Sequence, residues 1–149
     1  MAEHYEARVD VTSSVRLLQC SVVTPETTAL EMPAEFVALP LYDGELGVLP
    51  GHSPFIGRLG YGELRVKANG KTVRLYVDGG FVQVAGQVVS VLTNNAIPAE
   101  KLSAAVATEH LASARARKAN SPELLAIRDR LEQQARAQLR IAEHVGTAS

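Results

Sequence analysis

One dipeptide constrains this chain more than any other feature: Asn69-Gly70 lies between two runs that alternate polar and apolar residues. Glu63 to Lys67 leads into Ala68 and places Leu64, Val66 and Ala68 on one face, and Thr72 to Val77 repeats the pattern with Val73, Leu75 and Val77. Asn-Gly accepts positive φ at both central positions of the tight turn whose twist matches paired strands, so the two runs form an antiparallel hairpin. A two-residue turn also fixes register. Val66 then faces Val73, Leu64 faces Leu75, and Arg65 falls opposite Arg74 on the wet face, with Glu63 placed to relieve the like charges diagonally.

Further strands read at Arg16 to Thr24, Ala34 to Leu39, Phe55 to Leu59, Phe81 to Ala85 and Gln87 to Leu92, separated by short Gly-rich or Pro-rich turns. This spacing predicts an antiparallel sandwich or barrel. The chain changes character near Asn94 and Asn95: ten of its eleven glycines lie between Gly44 and Gly86, and fourteen of its twenty-one alanines lie from Ala96 onward. Charge divides the same way, with 7 basic against 10 acidic groups through residue 95 and 8 against 6 beyond it. The expected organisation is a short, poorly ordered extension over 1–14, a β-sandwich over 15–95 and an α-helical hairpin over 96–149.

In the alanine-rich part the apolar period becomes helical. Ser121-Pro122-Glu123 starts a helix, because the hydroxyl caps free amides, proline suits the first helical position and the acid suits the dipole. Leu124, Ile127, Leu131, Ala135, Ala142 and Val145 then make one stripe, with Gln138 its polar member. The preceding segment, Ala99 to Lys118, aligns Leu102 with Val106 but sets Leu111 half a turn away. A short connection joins the two, so they form an antiparallel hairpin held by small-residue contact.

Composition excludes several functions. The formal charge of −1 comes from 15 Lys plus Arg against 16 Asp plus Glu with no long like-charge run, which leaves no electrostatic footprint for nucleic acid. The lone Cys20 forms no internal disulfide, and Leu18 and Val22 around it mark a buried thiol. His4, His52, His110 and His144 are too scattered for a metal site. The first fourteen residues carry Glu3, Glu6 and Asp10 and match no export signal; with no 18-residue apolar run either, membrane association is expected only through a complex. No phosphate loop or nucleophile elbow is present. Tyr42-Asp43-Gly44-Glu45 reads as a turn.

The stretch Gly44-Glu45-Leu46-Gly47-Val48-Leu49-Pro50-Gly51-His52-Ser53-Pro54 specifies an unusual backbone path that displays two ionisable groups, Glu45 and His52. Followed by a strand hairpin and by Val77-Asp78-Gly79-Gly80-Phe81-Val82-Gln83-Val84, it resembles the epsilon subunit of bacterial and chloroplast ATP synthases, called delta in mitochondria. The resemblance spans about Leu17 to Val145 and keeps the family's order of motifs and alanine-rich tail.

The resemblance implies a ten-strand β-sandwich followed by two helices, and no catalysis of its own. It implies a rotor subunit that binds the gamma shaft and the membrane-embedded c ring, on the cytoplasmic face of a bacterial inner membrane, with a helical tail that brakes ATP hydrolysis. Carried over position by position, Glu45 and His52 become c-ring contacts. Arg115, Arg117, Lys118, Arg128 and Arg130 cluster around the inter-helix turn, where a raised tail would bring them to acidic loops of the catalytic head. Some bacterial members bind ATP between the helices through an Ile-Asp-x-x-Arg-Ala pattern. Here Leu102-Ser103-Ala104-Ala105-Val106-Ala107 stands in that place, and the second-helix positions are Gln134 and Gln138, with Arg136 and Arg140 nearby. Without the charged members, no cofactor is expected. Two other classes stand beside this reading: a free nucleotide-sensing module of the same build, and a hydrolase using His52 with Glu45 and the adjacent Ser53 as nucleophile.

Overall fold

A computed structural model describes residues 16–147, so the expected extension over 1–14 lies outside the described residues. The elements run β1 (Leu18–Val23), β2 (Thr28–Ala34), β3 (Phe36–Leu41), β4 (Gly44–Val48), β5 (Phe55–Ala68), β6 (Lys71–Ala85), β7 (Val88–Leu92), β8 (Ala96–Pro98), a 3-10 turn (Ala99–Lys101), α1 (Ala104–Arg115) and α2 (Pro122–Thr147). The chain divides into two compact units after Ala96.

The Asn69-Gly70 hairpin organises the first unit. Asn69 and Gly70 take φ of 53° and 73°, and the register pairs Val66 with Val73, Leu64 with Leu75 and Arg65 with Arg74. Glu63 accepts from Arg74 at 3.0 Å and lies 3.7 Å from Arg65, so the two like charges share one acid. The strands form a single ladder in the order β2-β1-β7-β6-β5-β3-β4, with β8 on β6.

The described residues hold eight strands where ten were expected. The difference lies in β5 and β6, which run 14 and 15 residues through positions expected to end strands. Leu59 pairs with Gly80 and Tyr61 with Asp78 at one offset, so Gly60 and Gly79 interrupt the ladder without shifting it. Bends replace breaks. The ladder is also not antiparallel throughout, because β1 and β7 are parallel. The whole of β2 to β6 supplies the long crossover that such a pair requires.

Alternation turns one face of most strands inward. Leu18, Cys20 and Val22 of β1, Leu30 and Met32 of β2, Leu64 and Val66 of β5, and Val82, Val84, Val89 and Val91 of β6 and β7 join one buried cluster. The sheet therefore folds over a single core, each Val or Leu side chain contributing about 1.5–3 kcal/mol on burial. Beyond the last core strand, Thr93 Oγ1 accepts the Asp78 amide at 3.0 Å and donates to the Asn95 carbonyl at 3.2 Å. This pins the exit of β7 to the middle of β6.

In the second unit the starts of both helices are capped by serine. Ser121 Oγ accepts from the Leu124 amide at 3.1 Å, with Pro122 at the first helical position, and Ser103 Oγ accepts from Val106 at 3.3 Å. The face of α1 that packs is not the one marked by Leu102 and Val106. Ala107, Leu111 and Ala114 are buried while Val106 is exposed, because two alanines let the α2 backbone come close. On α2, Ala135 and Ile141 are buried and Leu131, Gln138, Ala142 and Val145 half-buried, whereas Leu124 stays exposed.

Candidate functional site

The Gly-rich motif forms an edge hairpin and the loop that follows it. Tyr42 and Asp43 make the turn between β3 and β4; Gly44 and Glu45, read above as turn residues, already belong to β4. Gly44 carries a φ of 142°, which admits the sharp entry into the strand. Glu45 sits opposite Pro40 on the outer face, and its Oε1 accepts from Arg65 Nη2 at 2.7 Å. Arg65 in turn leans on Glu63, which holds Arg74, so alternating charges cross the sheet from β4 to β6.

His52 lies beyond β4 on the loop. Its amide donates to the Leu49 carbonyl at 3.1 Å, its Nδ1–H donates to the Ser53 carbonyl at 2.7 Å, and its ring meets Phe55 edge to face with centroids 6.5 Å apart. The imidazole thus engages the backbone of Ser53 rather than its hydroxyl. Glu45 is held by Arg65, and among the described residues no hydrogen bond joins His52 to Glu45 or to the Ser53 hydroxyl.

A second surface was missed by sequence reasoning. Leu92, Phe81 and Arg58 occupy one cross-strand row over β7, β6 and β5, and Ile56 begins the next row. Ile56 is 75% exposed, Leu92 60% and Phe81 58%. The Arg58 guanidinium lies over the Tyr42 ring, 4.5 Å from its centroid, and bounds this row on the β3 side. The sequence does carry the signal: Phe55-Ile56, Phe81-Val82 and Val91-Leu92 are apolar doublets, and a strand pointing apolar residues both ways must leave one of them outside the core.

In the helical unit, Arg115, Arg117 and Lys118 are exposed at the end of α1 and in the connection, and Arg130 is exposed on α2. Arg128 is half-buried, and its shielded Nε has no hydrogen-bond partner among the described residues. The five cations are therefore not equivalent: four reach solvent and one is partly withdrawn. Between the helices, His110, Ser113 and Arg117 of α1 and its extension face Leu131, Gln134 and Gln138 of α2 across a cleft of about 290 Å³. Arg136 pairs with Glu132 at 3.7 Å on the same helix, outside that lining.

Among the described residues no cluster of three or more His, Cys, Asp or Glu is placed to hold a metal, and no helix is long and apolar enough to cross a membrane. Burial pushes the Cys20 thiol up to about 12, which makes it a core residue.

Residues 17–99 match the family described as ATP synthase, Delta/Epsilon chain, beta-sandwich domain. The chain is 50% identical over 123 residues to the ATP synthase epsilon chain of Rhodopirellula baltica, covering 83% of this chain and 96% of that one. The chain belongs to the ATP synthase epsilon family. It is also 43% identical over 90 residues to the epsilon chain of a Synechococcus, covering 60% of this chain and 66% of that one. Its fold is that of a chain in the Euglena gracilis mitochondrial ATP synthase OSCP/F1/c-ring structure, with a TM-score of 0.69, 23% identity and coverage of 97% and 90%. A chain in the Tetrahymena thermophila mitochondrial ATP synthase central stalk and c-ring structure has a TM-score of 0.66, 9% identity and coverage of 87% and 99%. At 9% identity the two chains share a fold while sharing few side chains.

Proposed function

We propose that this chain is a non-catalytic subunit of the rotating central stalk of a proton- or sodium-translocating ATP synthase. It binds the gamma shaft and the c ring, lies peripheral to the cytoplasmic face of a bacterial inner membrane, and restrains ATP hydrolysis by the catalytic head through its two helices. The observation that carries this reading is that one compact β-unit displays two unlike surfaces, an apolar row and a charged lattice. A coupling piece needs such a pair.

The apolar row of Ile56, Phe81 and Leu92 suits the gamma shaft. Burying three exposed apolar side chains contributes on the order of 1–2 kcal/mol each, and Arg58 at the edge of the row sets the polarity of the partner's rim. Glu45 and His52 suit the polar loops of the ring, where a carboxylate and an imidazole meet hydrogen-bonding groups. The helices suit a brake because Ala107, Leu111 and Ala114 present little apolar area on α1, so separation costs only a few kcal/mol. A raised hairpin then carries Arg115, Arg117, Lys118 and Arg130 toward acidic loops of the head, and Arg128 joins them once the helices part.

The test is capture of the rotor from native membranes with the tagged full-length chain. Gamma, the c ring and the catalytic head co-purify with the parent chain, and Ile56→Asp with Phe81→Asp loses gamma. Recovery of the parent chain only as a free monomer refutes the assignment.

A further inference from the structure

The charged lattice on the outer face carries more than surface neutralisation. Glu45 lies on the edge strand β4 and Arg65 two strands inward on β5, with β3 between them. Ala38 of β3 is the cross-strand partner of both Gly47 and Arg65, so the outer face at this row offers no side chain larger than a methyl between β4 and β5. Phe36 closes the other side, its ring edge 2.9 Å from where a Cβ on Gly47 would stand. Ala38 is wholly shielded from solvent although it shares the face of the half-exposed Arg65, as a long side chain laid across it requires.

The Arg65 fork is held at both ends. Its Nη2 donates to Glu45 at 2.7 Å and its Nε lies 3.7 Å from Glu63, which is itself fixed by Arg74 at 3.0 Å. Such a planar guanidinium, caught between two acids, has few rotamers left. Glu45 is the looser end: its side chain is 58% exposed against 30% for Arg65. Among the described residues only its Oε1 is engaged, which leaves Oε2 to accept from a partner.

We propose that Arg65 is a positioning residue for Glu45: it holds the carboxylate in one rotamer so that Oε2 is presented to a hydrogen-bond donor on the polar loop of the c ring. This rests on the reading of Glu45 as a ring contact. Its physical content is preorganisation. An unrestrained glutamate loses rotamer freedom when it docks, whereas one already clamped by Arg65 has lost it on folding.

The experiment restores ATP-driven ion pumping to membranes stripped of this subunit by adding back the purified full chain, and reads the concentration giving half-restoration. The thermal midpoint of each chain is measured alongside. Glu45→Gln raises the half-restoring concentration about two- to fivefold, the range of an exposed charged contact. Arg65→Gln raises it as far, the double variant raises it no further, and Arg65→Lys, which keeps a cation beside Glu45, recovers at least half of the loss. The charge swap Glu45→Arg with Arg65→Glu separates positioning from mere pairing: it recovers the thermal midpoint but leaves the half-restoring concentration raised. Positioning is overturned if Arg65→Gln restores pumping like the parent while Glu45→Gln does not, if the two effects multiply in the double variant, or if the swap restores both readouts. An unchanged half-restoring concentration for Glu45→Gln removes the ring contact itself, and the proposal with it.

Discussion

Gly80→Ala tests whether the close approach of β6 and β7, rather than backbone conformation alone, shapes the surface that carries Phe81. Gly80 has a φ of 108°, and a Cβ added there runs into the Leu92 carbonyl oxygen, with Thr93 Cα 2.8 Å and Leu92 C 2.9 Å away. All of these atoms are backbone, so relief requires the two strands to part. Strain at such a φ costs about 1–3 kcal/mol. Parting the ladder where Phe81 pairs with Leu92 weakens hydrogen bonds worth about 0.5–1.5 kcal/mol each. The expected loss is roughly 3–5 kcal/mol, which lowers a urea midpoint by about 2 M for a small β-domain. Gly70→Ala is the matched control: its φ of 73° is also positive, but nothing lies within 4 Å of the added carbon. Only the left-handed conformation is then at stake, about 1–2 kcal/mol. Urea unfolding of both full-length variants followed by far-ultraviolet circular dichroism decides the matter. Equal midpoints for Gly80→Ala and Gly70→Ala refute the close-approach argument.

Cys20, with its thiol pushed up from 9.0 to about 12 by burial, resists thiol reagents at pH 8 until the chain unfolds, and rapid labelling of the folded chain contradicts its placement in the core. Because the unfolded chain releases a proton that the folded chain keeps, stability falls by about 1.4 kcal/mol per pH unit between these two values, and Cys20→Ala removes that component from the alkaline unfolding curve. Ser121→Ala withdraws the acceptor for the Leu124 amide and costs α2 about 1 kcal/mol, read as faster amide exchange in its first turn; unchanged exchange there contradicts the cap.

What the sequence made readable follows from which constraints are local. The Asn69-Gly70 register and the Ser121-Pro122 start were both visible because a turn or a cap is specified within a few residues. Strand β2 was not recognised although Leu30, Met32 and Ala34 alternate inward, since Pro33 argues against a strand. It is tolerated because β2 is an edge, where a missing amide leaves no ladder bond unmade. Strand β4 was hidden for the related reason that Gly44 and Gly47 look like turn residues, while at an edge they serve a sharp entry and make room for Phe36. The packing face of α1 was misjudged because contact through alanine leaves almost no apolar periodicity to read. The Glu45–Arg65 pair depends on two registers, β3 with β4 and β3 with β5, and no spacing along the chain announces it.

The most direct measurement is ATP hydrolysis by the assembled synthase with the chain ended after Pro98, which keeps β8 on β6 and removes both helices. The account predicts that hydrolysis rises several-fold while ATP synthesis and assembly are retained. Replacing Arg115, Arg117, Lys118, Arg128 and Arg130 by alanine in the full chain then reproduces part of the rise. Hydrolysis by the truncated enzyme at the parent rate, under conditions that activate other inhibited synthases, contradicts the brake and leaves the helical hairpin a structural appendage.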